Sequence, residues 1–149
     1  MMKPITPIRN KERGATLLEF AIGATVLCTV MFGALEFGRA LWVHNALTDA
    51  ARRGARYAIL HRSSDVDAVK NVVVYGDPAG GTKPLVTDLS SANVAVNYSN
   101  FGLEGGTVSV SITGYQFKFL VPLVSGAISM PNYQTTLTGE SAGLLPANL

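Results

Sequence analysis

Residues 15–35, ATLLEFAIGATVLCTVMFGAL, form an apolar run of 21 positions with one charge, Glu19. Nothing else in the chain restricts its fold so strongly. At about 1.5 Å per residue, a helix of this length is about 31 Å long, close to the hydrocarbon thickness of a bilayer. The flanks differ in charge. Residues 1–14 hold Lys3, Arg9, Lys11 and Arg13 against Glu12, a balance of +3, while residues 15–149 carry eight Lys/Arg against nine Asp/Glu. Basic residues beside an apolar segment are retained in the cytoplasm. This predicts a cytoplasmic N-terminus, one span, and the C-terminal bulk outside. Arg39, Arg52, Arg53, Arg56 and Arg62 follow on the outer side, partly offset by Glu36 and Asp49.

The run exceeds the 7–15 apolar residues of a secretory signal and continues into an amphipathic helix without a turn signal. It reads as a retained anchor. Glu19 lies one helical turn past Ala15. A carboxylate at the centre of a membrane helix costs about 2.5–3.5 kcal/mol on insertion scales. This one is shallower, yet an acid there calls for a function and a partner. Snorkelling to the headgroups is the bland alternative.

Beyond the run, Phe37, Ala40, Leu41, His44, Leu47, Ala51, Gly54, Ala55 and Ala58 recur at helical spacing, with Arg39, Asn45, Asp49, Arg53 and Arg56 opposite. Asp49 precedes Arg53 by four, a favourable pair. The pattern predicts one helix from Ala15 to Leu60, with Gly33 and Gly38 as bending points. Trp42 suits an aromatic interface belt. A shorter helix is expected within residues 61–77, capped by Ser63 or Ser64, with Asp65 and Asp67 in its first turn and Gly76 or Pro78 ending it. Then the period changes to two. Val94, Val96 and Tyr98 share one face of a strand, and Val108, Val110 and Ile112 share one face of another. The segment SNFGLEGG joins them as a hairpin loop. Tyr115, Phe117 and Phe119 continue with shifted parity, so Gly114 marks a bulge or bend. Pro122 breaks that run, and NYQTTLTGES is a last polar strand. The expected class is α+β: a long N-terminal helix whose outer half packs on a small antiparallel sheet of three or four strands.

Chemistry is sparse. His44 and His61 have no companion ligands at metal spacing, and His44 reads as a packed residue. Cys28, the single cysteine, lies in the apolar run and reads as filler. DPAGGTK lacks the strand–helix setting of a phosphate loop. Asn97 matches a glycosylation acceptor inside a strand, by chance. The RRGAR run reads as a solvated face, not a nucleic-acid site, because it has three charges and no stacking aromatics. No cofactor, metal or catalytic residue is expected, and the chain does not read as an enzyme.

The stretch ERGATLLEF resembles the type III signal of type IV pilin-like proteins. There a prepilin peptidase cuts after the glycine on the cytoplasmic face. The resemblance implies a cut between Gly14 and Ala15, with Glu19 and Phe20 as the fifth and sixth mature residues. Glu19 could then pair with the freed Ala15 amine of its own chain or of the next subunit, and the resemblance implies the intersubunit version. Many type IV pilins carry an aromatic after the cut. Ala15 instead points to the tight-adherence (Flp) branch.

Residues 13–58, above all EFGRAL and NALTDAARRGARYA, are similar to the N-terminal region of TadE-like proteins, pseudopilins or minor pilins of that apparatus. The resemblance implies a pilin-like division. Residues 1–14 are a cytoplasmic leader, 15–35 the transmembrane segment, 36–62 its amphipathic continuation, and 63–149 an extracytoplasmic head. Prepilin peptidase, other pilins or pseudopilins, the inner-membrane assembly platform and the membrane are the implied partners. Assembly in pilus biogenesis and adherence is the implied role, at the bacterial inner membrane or in the pilus. Read without the resemblance, the residues also fit an unprocessed single-span protein with an extracytoplasmic ligand-binding domain.

Overall fold

The computed structural model describes residues 9–61, 63–100, 106–121 and 126–139, and over 9–13 the backbone alone. Most of the leader, Arg62, the centre of the hairpin loop and Pro122 lie outside the described residues. Helix α1 (Arg9–Leu60) is 52 residues long and passes through Gly14, Gly33 and Gly38 without a break. The chain divides into two compact units at Gly38/Arg39. The first is the apolar part of α1. The second holds the rest of α1 and everything after it. A long N-terminal helix followed by a small antiparallel sheet makes the fold α+β, as the sequence predicts.

In the second unit, α1 buries Val43, Leu47, Ala50, Ala51, Gly54, Ala55, Ala58 and Ile59. Leu47, Ala51, Gly54, Ala55 and Ala58 are the expected stripe. Leu41 and His44 are exposed instead, as is Phe37 upstream in the first unit, and Val43, Ala50 and Ile59 take their place. Hydrophobic spacing alone gives the face to within a residue, and contact with the sheet chooses the final set. The ion pair shifts similarly: Asp49 meets Arg52 at 3.9 Å, not Arg53. Both side chains are well exposed, so either pairing adds little stability.

Helix α2 (Val66–Tyr75) carries five valines whose β-branching disfavours helix. Burial of Val69, Val72, Val73 and Val74 overrides that preference. Its N-cap is Asp65, which makes no side-chain cap bond. Ser64, an expected cap, donates to the Asp65 carboxylate at 3.1 Å rather than lying at the helix start itself. Gly76, at φ +81°, ends the helix, and its N–H reaches the Val72 carbonyl at 3.0 Å. Pro78 lies beyond that end, in a turn that Asp77 closes onto the Ala79 N–H at 2.8 Å. Val86 and Leu89 then bury in the following loop.

A 3-10 turn (Ser91–Asn93) leads into β1 (Val94–Ser99), which pairs antiparallel with β2 (Thr107–Ile112) in the register Val94↔Ile112. The pairing closes at Ser99↔Thr107, as a hairpin requires. Val108, Val110 and Ile112 are fully buried, and Thr107, Ser109 and Ser111 lie on the other face. β2 then ends. Gly114, at φ +68°, turns the chain out of the sheet, and β3 (Gln116–Lys118) starts a second, two-stranded ribbon with β4 (Ala127–Ser129). The expected bend at Gly114 is thus a change of sheet, which explains the shifted parity of Tyr115 and Phe117. Sequence periodicity does not predict β4. Strand β5 (Tyr133–Thr138) returns to the far side of β2, giving the order β1-β2-β5.

Gly54 sits where α1, α2 and β2 converge. A Cβ there would lie 2.3 Å from Val73 Cγ2 and 3.3 Å from Val110 Cγ1. Both valines are fully buried and stiff at χ1, so neither yields cheaply. Gly54→Ala is therefore expected to destabilise the unit by about 1–3 kcal/mol through overpacking, despite alanine's better helix propensity. Urea unfolding followed by circular dichroism measures this. An unchanged or raised midpoint would show that the approach is looser than described.

Candidate functional site

The first unit presents its side chains outward. From Gly14 to Leu35 every residue is exposed except Ala24, which is half-buried, and Phe20 is 74% exposed. The most apolar window of α1 has a mean hydropathy of 1.9, with none of it buried. A water-soluble surface does not carry an apolar belt of this extent. The polar side chains within it are handled locally. Thr25 donates to the Ala21 carbonyl and Thr29 to the Thr25 carbonyl, each at 2.8 Å. Such i−4 bonds satisfy a hydroxyl where water is absent.

Gly14, Ala15, Glu19 and Phe20 all lie on this helix. Glu19 and Ala15 are four residues apart and share a face. Because Cβ vectors in a helix tilt toward its N-terminus, the Glu19 side chain leans back over the Ala15 turn. Gly14 differs from Gly54: a Cβ on Gly14 would meet nothing within 4 Å. Packing within the described chain gives no reason for glycine there.

The second unit holds a polar cluster whose members are far apart in sequence. The Arg39 guanidinium donates to the Lys118 carbonyl and lies 4.2 Å from the Phe117 ring centroid. Phe119 meets Phe117 edge-on at 5.5 Å. Lys118 Nζ bonds to Asp88 at 2.7 Å, which raises the lysine pKa through the hydrogen bond first and the charge of Asp88 second. The Tyr115 hydroxyl donates to the Thr87 carbonyl at 2.8 Å. Together these contacts tie α1, β3 and the loop after α2. They are contacts that brace the fold. Arg39 and Lys118 are 79 positions apart. The alternation of Tyr115, Phe117 and Phe119 was the one hint that a ring faced something. His44 shares a 3.0 Å hydrogen bond with the Tyr133 hydroxyl and meets its ring edge-on, so it packs against β5 while remaining solvent-exposed. Among the described residues, no group of His, Cys, Asp or Glu is arranged to hold a metal.

The long apolar helix fits a single-pass membrane protein. Residues 14–56 match the family model described as TadE-like protein, the family that the sequence resembles. The match takes in the candidate site and most of α1 but not the sheet. No curated protein and no solved structure matches the chain.

Two measurements follow from this geometry. Membranes washed with alkaline carbonate should retain the chain, and its release would show that the apolar belt does not enter the bilayer. Separately, Tyr98, Tyr115 and Tyr133 all have raised pKa values, in each case from burial first. Asp65 adds to the effect at Tyr98, Asp88 at Tyr115 and Tyr115 at Tyr133, while Arg39 and Lys118 oppose it at Tyr115. The unfolded chain therefore loses these protons first. Stability is full below the unfolded tyrosine value of about 10 and falls as pH rises through the higher native values. Phenolate absorbance should rise later in the native protein than in denaturant, and coincident curves would contradict the described burial.

Proposed function

We propose that the chain is a pseudopilin or minor pilin of a tight-adherence (Flp) pilus system and acts by assembly. In this reading residues 1–14 are a cytoplasmic leader and 15–35 span the inner membrane. Residues 36–62 continue the helix, and 63–149 lie in the periplasm or on the pilus. Prepilin peptidase cuts between Gly14 and Ala15, and other pilins or pseudopilins and the assembly platform are the partners. The observation that carries the reading is an acid five residues after a packing-free glycine, on an exposed apolar helix, inside the TadE-like match.

The physical argument concerns what cutting does to Glu19. Before the cut, α1 extends back to Arg9, and the Ala15 nitrogen is a neutral amide. After it, Ala15 bears an ammonium and Glu19 lies one turn into a new helix, where its side chain leans back toward that amine. Two opposite unit charges 4 Å apart interact by about 4 kcal/mol at an effective dielectric of 20. That is comparable with the roughly 2.5–3.5 kcal/mol insertion cost of a central acid. Cleavage thus turns a liability into a pairing group. When the amine belongs to a neighbouring subunit, only subunits in register satisfy it. Glycine also suits the cut: it weakens the helix by about 1 kcal/mol relative to alanine, which eases the local unwinding a peptidase needs.

Mass spectrometry of the mature chain from cells containing the peptidase should show Ala15 as the first residue. A Cβ at position 14 meets nothing within 4 Å, and Gly14→Val is expected to block the cut. Glu19→Ala should insert and be cut normally but be lost from assembled pili. An intact N-terminus in the working protein would overturn this function and favour the unprocessed single-span alternative. Normal incorporation of Glu19→Ala would overturn the role given to the acid.

A further inference from the structure

Strand β5 ends the three-stranded sheet, and among the described residues no strand lies on its other side. The opposite edge, β1, has helix α2 against it. Open edges are commonly blunted by a lysine, a proline or a bulge, because their free N–H and C=O groups invite further pairing. β5, YQTTLT, has no charge and no proline, and it pairs with β2 over all six residues without a bulge. Just past it, the Gly139 N–H bonds to the Gly106 carbonyl at 2.9 Å, so these facing residues are a hydrogen-bonded pair. Pair type alternates along an antiparallel ladder. Leu137, Thr135 and Tyr133 therefore direct their backbone groups to β2, and Gln134 and Thr136 direct theirs to the open edge. The Gln134 side chain does not screen that edge: its Nε2 donates to Ser109 Oγ at 3.0 Å, back over β2. On the core side, Leu137 packs against the buried cluster yet stays half-exposed, and Thr135 is half-buried beside it. The rim of the core is open along the same edge.

We infer that this edge pairs with β5 of a second copy of the chain, antiparallel about a two-fold axis at Thr135. In that register Thr135 faces its own counterpart. Gln134 and the partner's Thr136 exchange backbone hydrogen bonds, and so do Thr136 and the partner's Gln134. Tyr133 comes beside the partner's Leu137, and Leu137 beside the partner's Tyr133, which covers the open rim. Residues that meet have the same parity, so apolar side chains stay on the core side and polar ones on the outer side. The strand's charge favours a copy of itself as the occupant. A two-fold brings each residue near its twin, so a charged edge would repel itself, and this edge has no charge. The pairing goes beyond the pilus reading and holds whether or not the leader is cut.

The test uses the full chain in detergent. Cys28 is its single cysteine, so in a Cys28→Ser background one introduced thiol can bridge only to another copy. Facing Cα atoms at a non-hydrogen-bonded position lie about 4.5 Å apart, within disulfide reach. Thr135→Cys should therefore give a bridged dimer under mild oxidation. Thr136→Cys is more exposed but faces Gln134 instead of itself, and it should stay largely unbridged, as should Asn97→Cys on β1. Adding Thr136→Pro to the Thr135→Cys chain should abolish the bridge and leave circular dichroism unchanged, because proline removes an N–H that only the edge pairing uses. If Thr135→Cys stays unbridged in the folded chain, the edge has another occupant and the inference fails. Equal bridging by Thr136→Cys or Asn97→Cys would mark chance collision and overturn it, as would a bridge that survives Thr136→Pro. Should Thr136→Pro prevent folding, the contrast among the three cysteine positions decides alone. None of these outcomes depends on the cut after Gly14.

Discussion

The close approach at Gly54 is the constraint around which the second unit is organised. A helix that must stay apolar and exposed along one part and buried along another cannot use the same residues for both. In its first part α1 carries Leu, Val, Ile and Phe, which cover the backbone and offer dispersion contacts all round. In its second part, between Leu47 and Ile59, the buried stripe narrows to Ala50, Ala51, Gly54, Ala55 and Ala58. Small side chains bury little area each, so their value is steric. They let Val73 and Val110 reach the helix itself, and the valines supply the apolar surface. The core is thus lent mostly by α2 and the sheet.

Much of this was legible because one physical signal dominated each segment. In β2, full burial of one face gives strict alternation, and the register follows from it. In residues 15–35 composition alone suffices. Where two signals compete, the sequence is ambiguous. Asp49 has arginines at both three and four residues, and backbone phase is too coarse to choose between them. Ser63, Ser64 and Asp65 are all good caps, and the helix started one residue beyond the last. β4 is invisible for a clearer reason. Ala127, Ile128 and Ser129 are all exposed, so no buried face imposes a period. The Arg39 cluster is non-local, and nothing near Arg39 in sequence announces a ring.

The candidate site divides in the same way. Gly14, Ala15, Glu19 and Phe20 were readable as a pattern because an acid in an apolar run is costly enough to stand out. Their placement on one uninterrupted helix is what the structure adds, along with the contrast between two glycines. At Gly54 the neighbours explain the missing side chain. At Gly14 none of the described residues does.

A different consequence follows from the sulfur content. The lone thiol sits in the apolar run, so the sheet and its helices are held by packing and hydrogen bonds without a covalent brace. Folding of the C-terminal unit therefore needs no thiol oxidase. It should proceed equally well in reducing and oxidising surroundings, leaving chain delivery, rather than redox chemistry, to decide when the unit forms.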